Sequence, residues 1–436
     1  MNKKILSLAI PNIISNITVP LLSIVDLALM GHLDSEVYIG AISLGGVLFN
    51  FIYWAFNFLR MGTSGLTGQA YGAQSHRKVN HILYQSLLVS SIIALSLIVL
   101  QVPIEWISFR LLEGSDAVKD TAKIYFRIRI WAAPATLGLY ALNGWLVGMK
   151  NAKIPMIVAI LVNIANIILN SIFVLLLHYT SDGVALATVI SQYIGFLITI
   201  ILIRKDFSEW IQWNSIAHYL NWTDLKRFFS LNRDIFIRTL CIIMVFTFFT
   251  SKSAGVDNKV LAANTLLLQF MMFFSFFMDG FAYAGESLSA NYFGAKEATQ
   301  FKQLLKNLFV WGIGLAISFS FVYGFFAKNI LSLLTNNSEI IEIAMEYAVW
   351  VVFVPLLSFP AYIWDAIYIG VTASKGMRNT MLLSTLILFF PLWFLTRSYL
   401  HNHALWLAMV AFLFGRGFFQ SLLAKRIVFK RIEEIS

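Results

Sequence analysis

The sequence predicts an all-α, polytopic membrane protein with twelve transmembrane helices in two pseudo-symmetric six-helix lobes. Three observations carry this. Of 436 residues, 59% are hydrophobic and 12% charged, against about 25% charge in soluble domains. Apolar stretches of roughly 20 residues or more, each able to cross a bilayer as a helix, recur from end to end. The two halves of the chain also resemble each other. No soluble domain is expected.

The predicted spans are 6–31, 38–64, 80–109, 122–148, 154–179, 183–204, 229–252, 260–290, 303–327, 341–371, 379–397 and 403–424. Polar breaks such as GHLDSE, YGAQSHRKVNH, LEGSDAVKD and MKNAK separate them, so two-helix units with short connections fill the chain. The start, MNKKILSLAIPNIIS, is basic and then apolar. It has no small-x-small cleavage site and merges into a full-length span, so it reads as a retained first helix.

Charge sets the orientation. With both termini inside, nineteen lysines and arginines fall on the cytoplasmic side and seven on the outer side, the bias that cytoplasmic loops carry. The net charge of +10 is thereby explained, and no nucleic-acid partner is expected. The longest connection, 205–228, holds FSEWIQW and HYLNW; tryptophans alternating with polar residues suit an interfacial helix on the inner surface. The expected organisation is an N-terminal lobe at 1–204, a cytoplasmic linker at 205–228, and a C-terminal lobe with a short basic tail at 229–436. The single cysteine, Cys241, lies in an apolar run and supports neither a disulfide nor a metal cluster.

The repeat aligns residues 40–73 with 262–295 without gaps. Both segments end in an aromatic-Gly-Ala step, Tyr71-Gly72-Ala73 and Phe293-Gly294-Ala295. Each half later shows a Gly-Met-basic-Asn step, Gly148-Met149-Lys150-Asn151 and Gly376-Met377-Arg378-Asn379, which reads as a second positional correspondence between the halves. An offset of six helices preserves orientation, so the repeats are parallel about an axis near the membrane normal, as in some transporters.

Asp26, inside the first span, is the residue to explain, because a carboxylate at membrane depth is costly and points to function. It is placed about 8 Å below the outer end of its helix, at 1.5 Å per residue. In the fifth span Asn163, Asn166 and Asn170 share one face. Asn170 lies about 13 Å below that helix's outer end, and Thr188 of the sixth span about 8 Å deep. Asn143 is placed near the middle of the fourth helix, which puts all these groups in similar outer-half layers. Amides and hydroxyls can stabilise an ionised Asp26 while burial favours the neutral acid, giving a proton carrier. The same oxygens at Asp26, Asn166, Asn170 and Thr188 can instead form a Na⁺ shell, or Asn and Thr can simply join helices. Pro11 and Pro20 each remove a backbone hydrogen bond and can bend the first helix.

Four further charges lie in second-half helices: Arg238, Asp279, Glu286 and Asp365. Asp279 and Glu286, seven apart, share a face, and Arg238 can neutralise one of them. The set reads either as an ion-pair staple or as a second charge site. FFSFFMDGFAYAGE surrounds Asp279 with aromatics able to meet a flat cation. Arg127 and Arg129, two apart, face different directions.

No HExxH, GxSxG or Walker sequence and no closely spaced histidines occur, so neither an enzyme nor an ATP-driven pump is expected, and no cofactor beyond the coupling ion. A channel would need one continuous polar stripe, whereas these polar residues form separate clusters.

Ile10-Pro11, VDLALMGHL (25–33), GLTGQAYGAQ (65–74), YFRIRIWAAP (125–134), LNGWLVGMKNAKIP (142–155), NIILN (166–170) with DGVALATVISQ (182–192), LNRDIFIRTL (231–240) and LLLQFMMFFSFFMDGFAYAGESL (266–288) together make the chain resemble the multidrug and toxic compound extrusion (MATE) family, in its DNA-damage-inducible protein F-like branch. The resemblance covers essentially the whole chain. It implies two lobes that rock between outward-open and inward-open states. It implies export of amphipathic, often cationic small molecules against H⁺ or Na⁺, from the inner membrane of a bacterium, by a monomer in contact with membrane lipids. It matches Asp26 to the family's first-helix acid, Pro11 to the proline at its bend, and Asn143, Asn166 and Thr188 to polar partners of that acid. Asn170 stands where several relatives carry a second acid, so one carboxylate remains in this cavity, which favours H⁺ coupling over a high-charge Na⁺ site.

Overall fold

The computed structural model describes residues 1–30, 36–211 and 222–434, without the side chains of residues 19–30, 222–225 and 227. The described residues are helical almost throughout. Ten helical stretches are long and apolar enough to cross a membrane. The first helix, α1 (Asn2–Met30), and the segment Asp116–Gly148 complete the twelve.

Residues Ile14–Phe228 form one compact unit, and Phe229–Ser436 with Met1–Ile13 form another. The boundary falls inside α1, two residues past Pro11. The first turn of α1 is fastened within the second unit: Asn307 and the Trp311 indole both donate to Asn2 Oδ1, at 2.9 and 3.3 Å.

In the unit Ile14–Phe228 the second to fourth segments are interrupted helices. They are α2 (Glu36–Ala55) with α3 (Phe58–Gly72), α4 (His76–Val99) with α5 (Gln101–Leu111), and α6 (Asp116–Arg129) with α7 (Ala133–Gly148), the last pair joined by the 3₁₀ turn Ile130–Ala132. Proline enters α7 at its first turn, where its missing N–H costs nothing. The fifth segment is α8 (Lys153–Ser171) running into a π-helical turn Ile172–Leu176, and the sixth is α9 (Ser181–Asp206). Glycine permits the closest crossing. A Cβ on Gly144 would lie 2.3 Å from the Arg60 carbonyl oxygen, and one on Gly148 would lie 2.8 Å from both Ser64 O and Gly68 N. Close backbone approach through small residues is how helices pack where burial from water no longer drives them together. The opening of the connection is pinned down: Trp210 stacks on His76 with ring centroids 3.9 Å apart and packs against Tyr71. The interfacial helix expected at 205–228 falls largely on 212–221, outside the described residues, and the seventh helix already begins at Trp222 rather than 229.

The second unit is built from long unbroken helices: α10 (Trp222–Ala254, from Phe229 on), α11 (Asn258–Gly294), α12 (Ala298–Leu334) and α13 (Ser338–Gly370). At 37 residues, α11 is about 55 Å long and outreaches a hydrocarbon core of about 30 Å. The eleventh segment is α14 (Ser374–Leu383), a π-helical stretch Ser384–Phe389 and α15 (Phe390–Leu400). The twelfth is α16 (Asn402–Ala424), the π-helical turn Lys425–Phe429 and α17 (Lys430–Glu433).

The repeat is written in the helix ends. After α3, the N–H groups of Ala73, Gln74 and Ser75 donate to the carbonyls of Gln69, Tyr71 and Ala70. At the offset of the 40–73/262–295 alignment, those of Ala295, Lys296 and Glu297 donate to Asn291, Phe293 and Tyr292. The end of α7 repeats in α13 in the same way: Met149, Lys150 and Asn151 match Val371, Thr372 and Ala373. Gln74 and Lys296, and Lys150 and Thr372, all take the left-handed conformation, with φ between 52° and 60°. These are helix-terminating turns of the kind glycine usually makes. The expected equivalence of Gly148-Met149-Lys150-Asn151 with Gly376-Met377-Arg378-Asn379 is therefore corrected. Lys150 ends a helix, whereas Arg378 lies within α14; the partner of Gly148 is Gly370, whose added Cβ would meet Ser289 Oγ at 2.0 Å.

Candidate functional site: two polar clusters in unlike lobes

In the first unit, α8 and α9 build a ladder of neutral groups. Asn170 Nδ2 donates to Asn166 Oδ1 at 2.9 Å. Asn166 Nδ2 in turn donates to Thr188 Oγ1 at 3.3 Å and Ser191 Oγ at 3.4 Å. The two hydroxyls donate back to their own helix, Thr188 to the Val184 carbonyl and Ser191 to the Thr188 carbonyl, both at 3.0 Å. Asn166, Asn170 and Ser191 are buried. The sequence reading missed Ser191; its place one turn beyond Thr188 on α9 was the available signal. Asn163, one turn before Asn166, reaches α1 and donates to the Thr18 carbonyl at 3.3 Å. The side chain of Asp26 lies outside the described residues; its backbone continues α1. No acidic residue of this unit is buried among the described residues.

Asn143 stands apart from this ladder. It lies five residues from the end of α7, about 8 Å from the turn leading into α8, whereas Asn166, thirteen residues into α8, is about 20 Å along it. The expected mid-helix position in a shared layer is thus corrected: the segment Asp116–Gly148 ends at the expected residue, and Asn143, five residues from that end, lies nearer the turn into α8 than the middle of the segment. The buried Asn143 Oδ1 has no hydrogen-bond partner among the described residues.

Arg127 and Arg129 do face different ways. Arg127 forms a two-pronged pair with Glu105 at 2.7 and 2.8 Å. Arg129 lies over Phe49 and Tyr125, 4.9 and 5.5 Å from their ring centroids.

In the second unit the polar cluster is ionic and centres on Asp365. Arg238 Nη2 and Arg416 Nη2, the latter at 2.8 Å, both donate to Asp365 Oδ2, and Gln420 Nε2 donates to Oδ1 at 2.6 Å. Asp365 and Arg416 are each 5% exposed, so removal of either partner strands a buried charge. Helices α10, α13 and α16 are joined at this point. The partner found for Arg238 is therefore Asp365, a different acid from the two expected. Arg416 and Gln420 escaped the sequence reading although they lie four apart in an apolar span, the spacing that puts two side chains on one face. Pro355 and Pro360 lie in α13 just before Asp365. By the repeat offset Asp365 occupies the position of Asn143.

Asp279 is half-buried in α11, and Glu286 is fully buried seven residues on. One turn before Asp279, Ser275 shares a hydrogen bond with Tyr362, and Phe274 meets Tyr362 edge-on with centroids 6.1 Å apart. A second ion pair also went unread. Asp234, buried in α10, accepts from Arg378 Nη1 at 2.7 Å and Ser374 Oγ at 3.0 Å. Among the described residues no group of three or more His, Cys, Asp or Glu could hold a metal ion.

The MatE family model matches the chain twice, at residues 11–172 and 235–395, one match in each repeat. DNA damage-inducible protein F of Escherichia coli (strain K12) is 36% identical over 420 residues, covering 95% of this chain and 90% of that protein. Protein DETOXIFICATION 44, chloroplastic, of Arabidopsis thaliana is 25% identical over 85% of this chain and 72% of its own. Among solved structures, a MOP superfamily transporter from Pyrococcus furiosus superposes with a TM-score of 0.87 at 18% identity, covering 99% of this chain and 96% of that one. A variant of the Vibrio cholerae MATE transporter VcmN gives 0.87 at 18% identity over 98% and 97%. The chain belongs to the multidrug and toxic compound extrusion family, a non-enzymatic family of secondary-active efflux antiporters.

Proposed function

We propose that the protein exports amphipathic, often cationic small molecules in exchange for protons, with Asp26 as the proton carrier and Pro11 as the hinge of the helix that bears it. The observation that carries this reading is a register. Asn163 is tied to α1 at Thr18. Eight residues further along α1 the backbone reaches Asp26, and seven further along α8 it reaches Asn170. Helices that run the same way bring these backbone positions to similar levels, which supports the Asn166–Asn170–Thr188 ladder as the partner set for Asp26 in this reading. That the boundary between the two compact units falls two residues past Pro11 supports a bend there.

The ladder also bears on the coupling ion. Asn166 Oδ1, Thr188 Oγ1 and Ser191 Oγ each already accept one hydrogen bond. A Na⁺ ion would have to draw on their remaining lone pairs, with Asp26 as its one carboxylate, whereas a proton needs only Asp26. Na⁺ coupling at Asp26, Asn166, Asn170 and Thr188 is the second reading, since hydroxyl and amide oxygens are competent ligands. Asn143, at the far level, is assigned to the proton's path rather than to its resting place. Asp279, Glu286, Arg238 and Asp365 form the second-lobe charge set. In it Asp279, among aromatics, is the residue for a cationic substrate, and Asp365 with Arg238 is a staple.

The lobes are assigned to 1–204 and 229–436 with a cytoplasmic linker between, both termini inside a bacterial inner membrane, acting as a monomer. Coupling requires that protonation change the relative stability of the two access states; equal affinity in both would produce none. The test is Asp26→Asn, which removes the charge while keeping the shape. The variant is expected to insert normally and to lose proton-driven export. Full transport by Asp26→Asn under an imposed pH gradient would overturn the assignment.

A further inference from the structure

The second unit carries a groove of about 550 Å³ on α12 and α13, unrelated to either polar cluster. Its walls are apolar: Phe309, Val310, Ile313, Phe359, Trp364 and Phe429. The floor is rigid. Phe309 packs edge-on to Trp364 and Phe359, with centroids 5.6 and 6.1 Å away, and the Trp364 indole donates to Ser421 Oγ at 2.7 Å. Gly312 lets α12 lie against this floor, since a Cβ there would fall 2.7 Å from Ile363 Cδ1 and 2.9 Å from Phe359 Cδ2. One end of the groove is charged. Lys302 and Lys306, one turn apart at the start of α12, line it and are exposed. Neither forms an ion pair or side-chain hydrogen bond among the described residues. Phe429, on the opposite wall, ends a π-helical turn that begins with Lys425 and Arg426 and is followed by Lys430.

From Lys302 to Ile313 the helix rises about 17 Å, roughly half the thickness of a hydrocarbon core. Two unpaired ammonium groups thus stand at the level of one leaflet's headgroups, and an aromatic-floored furrow descends from them to mid-membrane. We propose that this groove is a binding site for one anionic phospholipid, its phosphate headgroup on Lys302 and Lys306 and an acyl chain along Phe309, Ile313 and Trp364. Charge complementarity selects the occupant. A zwitterionic lipid brings a choline or ethanolamine cation to a site already doubly positive, whereas phosphatidylglycerol brings a net negative charge. Lysine stems can lie along the apolar wall while their heads meet the phosphate. The site does not depend on which ion drives transport.

The test is quenching of Trp364 fluorescence by brominated acyl chains, with the Trp364→Phe protein supplying the background from the other eleven tryptophans. In nanodiscs containing equal parts brominated phosphatidylglycerol and unlabelled phosphatidylcholine, the Trp364 signal should be quenched at least twofold more than with the label exchanged. That preference should vanish in Lys302→Gln/Lys306→Gln and persist in Lys302→Arg/Lys306→Arg, surface changes that leave the apolar floor intact. Equal quenching by the two lipids, as from an ordinary lipid annulus, would overturn the proposal. So would a preference that survives the glutamine variant.

Discussion

The two lobes repeat each other at their helix ends and differ in what holds their interiors. In residues 14–228 the second, third and fourth segments are broken helices, and the buried polar groups among the described residues are neutral amides and hydroxyls apart from Arg60, with no buried acid. In residues 229–436 the corresponding helices run unbroken for 33 to 37 residues, and the interior is fastened by Asp365 between two arginines. The same repeat position carries Asn143 in one lobe and Asp365 in the other. A neutral interhelical hydrogen bond in a membrane protein is worth about 0.6 kcal/mol on average; stranding one charge of a buried ion pair costs about 3–5 kcal/mol. The comparison teaches that one lobe is built to change its bonding cheaply and the other to resist change.

The sharpest way to break that contrast is Asp365→Asn. It leaves Arg238 and Arg416 without their anion and should lower stability by about 3–5 kcal/mol, read as a large drop in Tm in detergent. Replacing Asp365, Arg238 and Arg416 together with apolar residues of like volume should recover most of that loss, because an unpaired charge, and not the missing pair, is what destabilises. A small effect of Asp365→Asn would mean that the second lobe is not stapled there.

Next in size are Gly148→Ala and Gly370→Ala, which probe the same crossing in both repeats. Each should cost about 1–3 kcal/mol by overpacking. Gly148→Ala should be the worse, because its Cβ meets backbone atoms of Ser64 and Gly68, whereas at Gly370 the nearest atom is the movable Ser289 hydroxyl. Equal Tm shifts, or a reversed order, would show that the two crossings are not packed as described.

Asn166→Ala should lower stability by only about 0.6 kcal/mol per lost bond, yet weaken proton-driven transport several-fold. That pairing of a small Tm shift with a large transport defect is the signature expected of the first lobe. Smallest of all is Glu339→Gln, which opens the exposed Lys259–Glu339 pair and should leave Tm unchanged within measurement, as solvent-exposed ion pairs contribute little.

Much of the architecture was legible in the chain, for physical reasons that also mark where legibility stopped. Apolar runs must be long to span a bilayer, so twelve segments could be counted. The 40–73/262–295 alignment held because the turns after α3 and α11 impose the same backbone path. The second equivalence failed because Gly-Met-basic-Asn is a composition, not a conformation: the left-handed residue that ends α13 is Thr372, which nothing in the sequence marks. Asn143 was given the wrong depth because depth is set by distance from a helix end, and the span's end at residue 148, legible in the chain, already put Asn143 only five residues from the turn into α8. Arg238 could be seen to need an acid, but three acids on other helices were available, and spacing along one helix does not choose among them. Asp234 was hidden in a segment valued only for its resemblance, and its partner Arg378 lies far along the chain.

Export driven by protons through Asp26 is the proposal on which the contrast between the lobes turns. It is tested most directly by purified protein in proteoliposomes with H⁺ and Na⁺ gradients imposed separately, for wild type and Asp26→Asn, following a fluorescent cationic substrate. Wild type should transport under an inward H⁺ gradient alone and gain no added drive from Na⁺, and Asp26→Asn should show only background movement under either. Transport driven by Na⁺ alone, or undiminished proton-driven transport by Asp26→Asn, would contradict it.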